Sequence, residues 1–457
     1  MIKTTLYSAC GITLDISRQK IQSSDLIKML DFAEKKRILP KFHAMIRGSI
    51  VNSSEGRRVL HTSLRSSNPE VPLYEAVQKE LRRVLSFAQK VRDGVWRGCK
   101  GNQITDVINI GIGGSDIGPK TIYHALQSAN HKVRLHFLTA ADPILFDRTI
   151  SQLNPFKTLV IVSSKSFKTR ETLVNASAID SWLESAGIIG DYRQQHLIVV
   201  SANSEAAKLL SLPKENQFNI WDWVGGRFSV WSAIGLPVAI ALGPEIFNKL
   251  LAGAEDMDKH AASSPLNKNL PALMAVLSYW NTNYNNMTSH CVLPYDERLR
   301  QFVFWLQQLE MESLGKVKKT DGKITNELTS QCIWGGIGNE SQHSFFQCLR
   351  EGTLNTSIAI IYSKNPGIPH YKDLHRVLIA NAKAQMEALV TRNDGTPYKN
   401  SVAVLEIDDL TPERLGALMA LYEHKTAMLA SLLELNAFDQ PGVELGKILS
   451  LKAEGIR

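Results

Sequence analysis

A chain of 457 residues, 44% hydrophobic and 21% charged, is long enough to build two cores and too apolar for a disordered polymer. Its formal net charge of +8 suits an anionic partner. No run of five or six like charges occurs, and the densest basic piece, Lys316 to Lys319, lacks interleaved aromatics, which argues against nucleic acid.

The five cysteines (Cys10, Cys99, Cys291, Cys332, Cys348) are scattered, with no zinc spacing and no C-x-x-C, and predict free thiols. No apolar run approaches a membrane span, and the N-terminus lacks a signal-peptide layout. A soluble, cytoplasmic protein without a membrane partner is expected.

Residues 1–100 read mainly as helix, with apolar side chains at helical spacing at Leu26, Met29, Leu30 and Ala33, and again at Leu81, Val84, Leu85, Ala88 and Val91. From about 105 the pattern changes. Strand formers fill 104–110, 133–138, 159–162 and 197–200, with helical segments at 117–127 and 169–186 between them. This alternation predicts a parallel sheet covered by helices on both faces. A helical stretch over 229–242 and 244–259 leads to a second α/β region, with strands at 290–293, 357–362 and 402–407. Helices over 412–435 and 443–451 close the chain. No proline- or serine-rich linker separates the halves, so tight packing is expected.

Three segments carry unusual polar chemistry. In the stretch 221–235, Arg227 follows Gly225 and Gly226 and is surrounded by Trp221, Trp223 and Trp231. A guanidinium so placed meets a carboxylate, a phosphate or a developing oxyanion; a structural ion pair is the rival explanation.

The segment 109–116, with Gly111, Gly113, Gly114 and Ser115, joins a strand to a helix. Asp116 stands where a dinucleotide fingerprint needs its third glycine, and the lysine of a P-loop is absent. A tight turn and an anion site explain it equally well. The segment 163–172 puts five hydroxyls, two lysines and an arginine at another strand-to-helix junction. One hydroxyl, Ser166 or Thr169, would suffice for a helix cap, so five point to a phosphate monoester. No nucleotide or metal motif accompanies these loops, which makes the phosphate a handle on a small substrate. Candidates for proton transfer are Glu312, His343 and Lys447, each of which has an ordinary surface or helix-terminal reading by spacing alone.

Together these segments resemble phosphoglucose isomerase. The resemblance runs from the stretch 59–65 (VLHTSLR) through 221–235, 415–425 and 436–447, the last containing FDQPGVELGK. It implies an α/β protein of two doubly wound parallel-sheet sugar-isomerase (SIS-like) αβα domains with additional helices at both termini. A helical segment over 1–100 would pack on the large domain, with the smaller domain at 101–240 and the larger at 241–457. It also implies a homodimer interconverting glucose 6-phosphate and fructose 6-phosphate without cofactor or metal.

By motif, Gly114, Ser115, Ser164, Lys165, Ser166 and Thr169 would hold the phosphate and Gln308 the sugar. Glu312 would move the proton and Arg227 would stabilise the enediolate. His343, reaching in from the partner subunit, and Lys447, with Gln440 beside it, would open the ring. Glu171 would orient the histidine. A non-catalytic sugar-phosphate sensor, or an isomerase of another hexose 6-phosphate, is the alternative. Ser166, Lys168 and Arg170 depart from the usual loop, and Glu340 stands near enough to His343 in sequence to raise its pKa. The chain is shorter than the family's longer members at the N-terminus, before Asn393 and after Lys447, so reduced dimer-wrapping elements are expected.

Overall fold

The computed structural model of the chain describes residues 5–128, 132–391, 399–453 and 455; Asn393 falls outside them. The chain opens on strands rather than helix. β1 (Leu6–Ala9) and β2 (Ile12–Arg18) form a hairpin whose two turn residues, Cys10 and Gly11, both have positive φ. Ile12, Leu14 and Ile16 point into the core while Thr13 and Asp15 point away, a period-two pattern masked by the helical spacing downstream. A second hairpin, β3 (Ile50–Asn52) and β4 (Arg57–Arg58), follows the first helices.

The first large sheet contains β5 (Asp106–Ile110), β6 (Arg134–Leu138), β7 (Thr158–Ser163), β8 (Leu197–Ser201) and β9 (Gln217–Asn219), all parallel, in the order β6-β5-β7-β8-β9. Four of these are the expected strands; β9 is only three residues long and too short to show periodicity. The second sheet adds β10 (Ser289–Pro294), β11 (Cys332–Gly335), β12 (Thr356–Ser363) and β13 (Ser401–Ile407) to the N-terminal hairpin. Its order is β1-β2-β13-β12-β10-β11, with β10 to β13 parallel and the hairpin antiparallel on the β13 edge. The fold is therefore two doubly wound α/β sheets, the second made mixed by that hairpin. The central strands are buried along their whole length, as expected for sheets covered on both faces.

The helical stretch expected over 229–242 is broken. Two short 3₁₀ turns, Gly226–Phe228 and Ala233–Gly235, precede the helix Leu236–Leu242. Ser229 and Ser232 donate their hydroxyls to the carbonyls of Gly226 and Ser229, each at 2.6 Å, which offers the backbone an alternative to a helix.

The nearly all-buried helix Pro412–Leu433 crosses Pro244–Ser263 at reciprocal glycines. A Cβ on Gly253 would stand 1.8 Å from the Glu413 carbonyl oxygen, and one on Gly416 2.0 Å from that of Leu250. Beside this crossing Arg65, fully buried, binds Asp258 at 2.8 and 2.7 Å and Glu423 at 2.7 Å, while Glu423 also accepts from the Trp231 indole and Asp258 contacts His424. The stretches 59–65 and 422–425 are thus tied together by a buried ionic network, to which Trp231, four residues after Arg227, is joined through its indole.

Candidate active site

The first sheet switches winding direction between β5 and β7, and ligands of such sheets sit beyond the carboxyl ends of the strands at that point. Asn109, near the end of β5, accepts the Ser163 hydroxyl (2.9 Å) and donates to the Ser115 carbonyl (2.9 Å), so one buried amide fixes both strand ends and the first loop. Gly114 in that loop touches the glycine–arginine stretch: a Cβ there would lie 1.9 Å from the Gly226 carbonyl oxygen, so only glycine lets the two loops meet. Gln308 lies against neighbouring Gly113, its carbonyl oxygen buried and without a partner among the described residues.

The loop after β7 turns at Phe167, whose φ is +53°. The phenyl ring is buried while Ser166 and Lys168 are exposed. Thr169 occupies the cap position of the helix Arg170–Ser185 but makes no side-chain cap bond. Its hydroxyl thus stands at the start of a sixteen-residue helix, where the helix dipole favours an anion. Ser115, Ser164, Ser166 and Thr169 all line one cavity of about 690 Å³, together with Gly114, Lys165, Lys168, Thr172, Gln440 and Lys447.

Lys165 donates from Nζ to the carbonyls of Asp222 (2.6 Å) and Val224 (2.7 Å). It thereby tethers the backbone before Gly225. Burial, and next the Arg57 charge, lower its pKa to about 8.

Arg227 is 4% exposed and has a partner on every nitrogen. Nε donates to the Ser313 hydroxyl (2.6 Å), Nη1 to Gln440 Oε1 (3.1 Å), and Nη2 to the carbonyls of Ala437 and Asp439. Nη1 also stands 3.4 Å from Glu312 Oε2. Burial lowers the pKa of the guanidinium, with Glu312 and Asp439 opposing the shift. Glu312 and Gln308 belong to one helical stretch, in which Gln307–Met311 forms a π-helical turn. A fixed cation, a partly exposed carboxylate and a side-chain amide thus adjoin a cavity rich in hydroxyls. Such a set can hold a phosphate at one end and shift a proton beside a developing oxyanion at the other.

The sequence model of one family, phosphoglucose isomerase, matches residues 15–404 and 394–455. The chain belongs to the phosphoglucose isomerase family.

Glucose-6-phosphate isomerases of Burkholderia multivorans and Paraburkholderia phymatum are each 41% identical to it, over 98% of this chain and 86% of theirs. Among solved structures, a glucose-6-phosphate isomerase from Chlamydia trachomatis superposes with a TM-score of 0.88 at 29% identity, covering 99% of this chain and 90% of the other. A hypothetical protein from Thermus thermophilus, also at 29% identity, gives 0.77 over 97% of this chain and 99% of its own.

Not every residue expected at the site gathers there within one chain of this isomerase. His343 lies exposed on the turn between the short helices Gly338–Ser341 and Phe346–Glu351, and it is not among the cavity residues. Its neighbour Glu340 is engaged by Arg300 at 2.5 and 3.0 Å, which draws that carboxylate away from the histidine. Glu171 is exposed on the first turn of its helix. Lys447 reaches the cavity from the wholly exposed helix Glu444–Ala453, its ammonium 2.7 Å from Glu444.

The cavity also includes Glu55, Arg57 and Asp222, which sequence reasoning passed over. Glu55 lies in the turn of the β3–β4 hairpin and Arg57 at the start of β4. Nothing in their spacing marks a site; only the fold brings that hairpin to the rim, where Ser54 bonds Asp439 (2.5 Å).

Proposed function

We propose that the interconversion of glucose 6-phosphate and fructose 6-phosphate, the reaction this family member catalyses, takes place in the cavity at the end of the first sheet. The phosphate is held by Gly114, Ser115, Ser164, Ser166 and Thr169, with Lys165 fixing the adjoining backbone. Gln308 and Gln440 hold the sugar. In the open-chain form the Glu312 carboxylate takes the proton from C2, the electron pair moves to the carbonyl oxygen O1, the hydroxyl proton passes from O2 to O1, and the same carboxyl returns its proton to C1 as the C2 carbonyl forms. The charge that grows on the enediolate oxygens faces Arg227. A guanidinium already fixed by four acceptors needs no reorganisation as that charge appears.

Ring opening requires a proton from the C1 hydroxyl and one delivered to the ring oxygen, work assigned to His343 and Lys447. His343 is exposed and does not line the cavity of its own chain, and we assign it to the site of the partner in a homodimer, with Glu171 as its orienting carboxylate. Free thiols at all five cysteines suit a cytoplasmic location. No helix among the described residues is long and apolar enough to cross a membrane.

The observation that carries this reading is the 3.4 Å approach of Arg227 to Glu312 beside the hydroxyl-lined cavity. It is tested by assaying Glu312→Gln and His343→Ala separately and as an unfolded-and-refolded equal mixture. Glu312→Gln is expected to lower kcat by about 10³-fold with KM little changed. In the mixture, half of the dimers pair one variant with the other, and one of their two sites is intact, so activity returns to roughly a quarter of wild type. A Glu312→Gln enzyme with more than a tenth of the normal rate would remove the base assignment. A mixture no more active than its components would place His343 in its own chain's site or outside catalysis.

A further inference from the structure

The stretch that carries Gln308 and Glu312 also contains a charge in a place built for an apolar side chain. Leu306, Leu309, Ser313 and Leu314 form its buried face, and Glu310 lies on that face, 3% exposed. Its partner is Lys425 from the middle of the helix Pro412–Leu433, with Nζ to Glu310 Oε2 at 2.5 Å and side-chain exposures of 3% and 4%. The other carboxylate oxygen of Glu310 is buried without a partner among the described residues.

A buried ion pair of this kind contributes little net stability, because the desolvation of both groups offsets their attraction. Its better-attested effect is to specify register. Here the register in question is unusual. Gln307–Met311 is a π-helical turn, a geometry that costs more than an α-helix and recurs at functional sites. Glu310 lies within that turn, two residues before Glu312. In this turn the Glu310 carboxylate is directed at Lys425 while Gln308 lies against Gly113 and Glu312 against Arg227.

We propose that Glu310 and Lys425 are a positioning pair: their buried contact locks the π-helical turn and so fixes the Glu312 carboxylate and the Gln308 amide against Arg227. The proposal rests on Glu312 being the proton-transferring base. The pair touches neither substrate nor reacting atoms.

The test replaces both charges by apolar side chains of similar size, Glu310→Leu with Lys425→Met, in the full chain. A pair that serves stability alone leaves kcat unchanged in the refolded variant. The positioning role predicts an unchanged or raised urea midpoint, KM within about threefold, and kcat lowered about 10- to 100-fold, the loss that small misplacements of a catalytic group produce. It also predicts that more of the C2 deuterium of labelled substrate is lost to solvent per turnover, since a displaced carboxylate exchanges its proton with water before returning it.

A second variant, Glu310→Gln with Lys425→Gln, keeps a hydrogen bond without the charges and should recover at least part of the rate. A folded double variant with kcat within twofold of wild type and the same deuterium retention overturns the proposal. So does failure of both variants to fold, which would make the pair a stability element. Glu312→Gln, assayed alongside, separates this failure from failure of the base assignment: if that variant keeps its rate, the reading beneath the proposal is what has failed.

Discussion

The two sheets share a winding plan and differ in what their strand ends offer. In the order β6-β5-β7-β8 of the first and β11-β10-β12-β13 of the second, each has a switch point beside its central strand. At the first, the loops present four hydroxyls, an uncapped helix start and glycines that let backbones touch.

At the second, the polar groups are already satisfied by one another. Arg298 binds Asp296 at 2.6 to 3.2 Å and the Leu410 carbonyl at 3.2 Å, and it lies so close to Gly367 that a Cβ there would meet the guanidinium at 2.8 Å. Lys364 is shared by Glu406 (2.9 Å) and Asp408 (3.0 Å). The cavity of about 890 Å³ that remains there is edged by Ile368, Tyr371 and Leu374. The winding order supplies an address, and loop chemistry decides whether an anion can use it.

The sharpest way to break this comparison is at the catalytic end of the first site. Arg227→Met should lower kcat by about 10²- to 10³-fold, the cost of removing a fixed donor from a developing oxyanion. Substrate turnover measured at saturation checks this; a loss below tenfold would mean that the enediolate is stabilised elsewhere.

Next in size, the combined change Ser164→Ala, Ser166→Ala and Thr169→Val should raise KM about 100-fold. That follows from about 1 kcal/mol for each hydroxyl hydrogen bond. In the same assay Arg298→Met, at the corresponding position of the second sheet, should leave kcat/KM within about twofold while lowering thermal stability, because it leaves partly buried acceptors unpaired. Equal effects on KM from the two sets would erase the distinction between the sheets.

A smaller effect concerns pH. Lys165 carries its charge below its lowered pKa of about 8 and loses it above. A lysine with a depressed pKa costs the fold stability at lower pH, and that cost is relieved as pH rises from about 8 toward the unfolded value. Because that charge tethers the backbone beside the proposed phosphate site, its loss should lower kcat/KM by up to about tenfold per pH unit above that point, with no matching loss of stability from this group. Lys165→Met should flatten this limb of the kcat/KM profile at a lower value. A profile unchanged by that substitution would show that the ammonium does not govern phosphate affinity.

Much of the lining of the first cavity was legible in the sequence. Hydroxyls and glycines concentrated at strand-to-helix junctions declare themselves, because an anion needs several donors close together and a glycine close approach has no substitute. The N-terminal hairpin was less visible. Its alternation is brief, and the long helical spacing from Leu26 onward dominates the composition of the first hundred residues. The direction of the Lys165 ammonium toward the carbonyls of Asp222 and Val224 was not legible either, since a lysine in a phosphate-binding loop and one that tethers a neighbouring loop look the same in one dimension. Glu310 gave no warning for the same reason: only Lys425, 115 residues away, makes its burial possible.

Residue spacing alone determined the alternation of strands and helices, the family resemblance and the hydroxyl- and glycine-rich character of the loops after β5 and β7. These follow from local periodicity and from functional groups adjacent in the chain. Tertiary structure alone decided that Arg227 would be held by Ser313, Gln440, Ala437 and Asp439, that Glu312 would stand beside it, and that the β3–β4 hairpin would bring Glu55 and Arg57 to the cavity. Those relations join segments that are dozens to hundreds of residues apart. Distance between such segments is set by how helices and sheets pack, which no local pattern encodes.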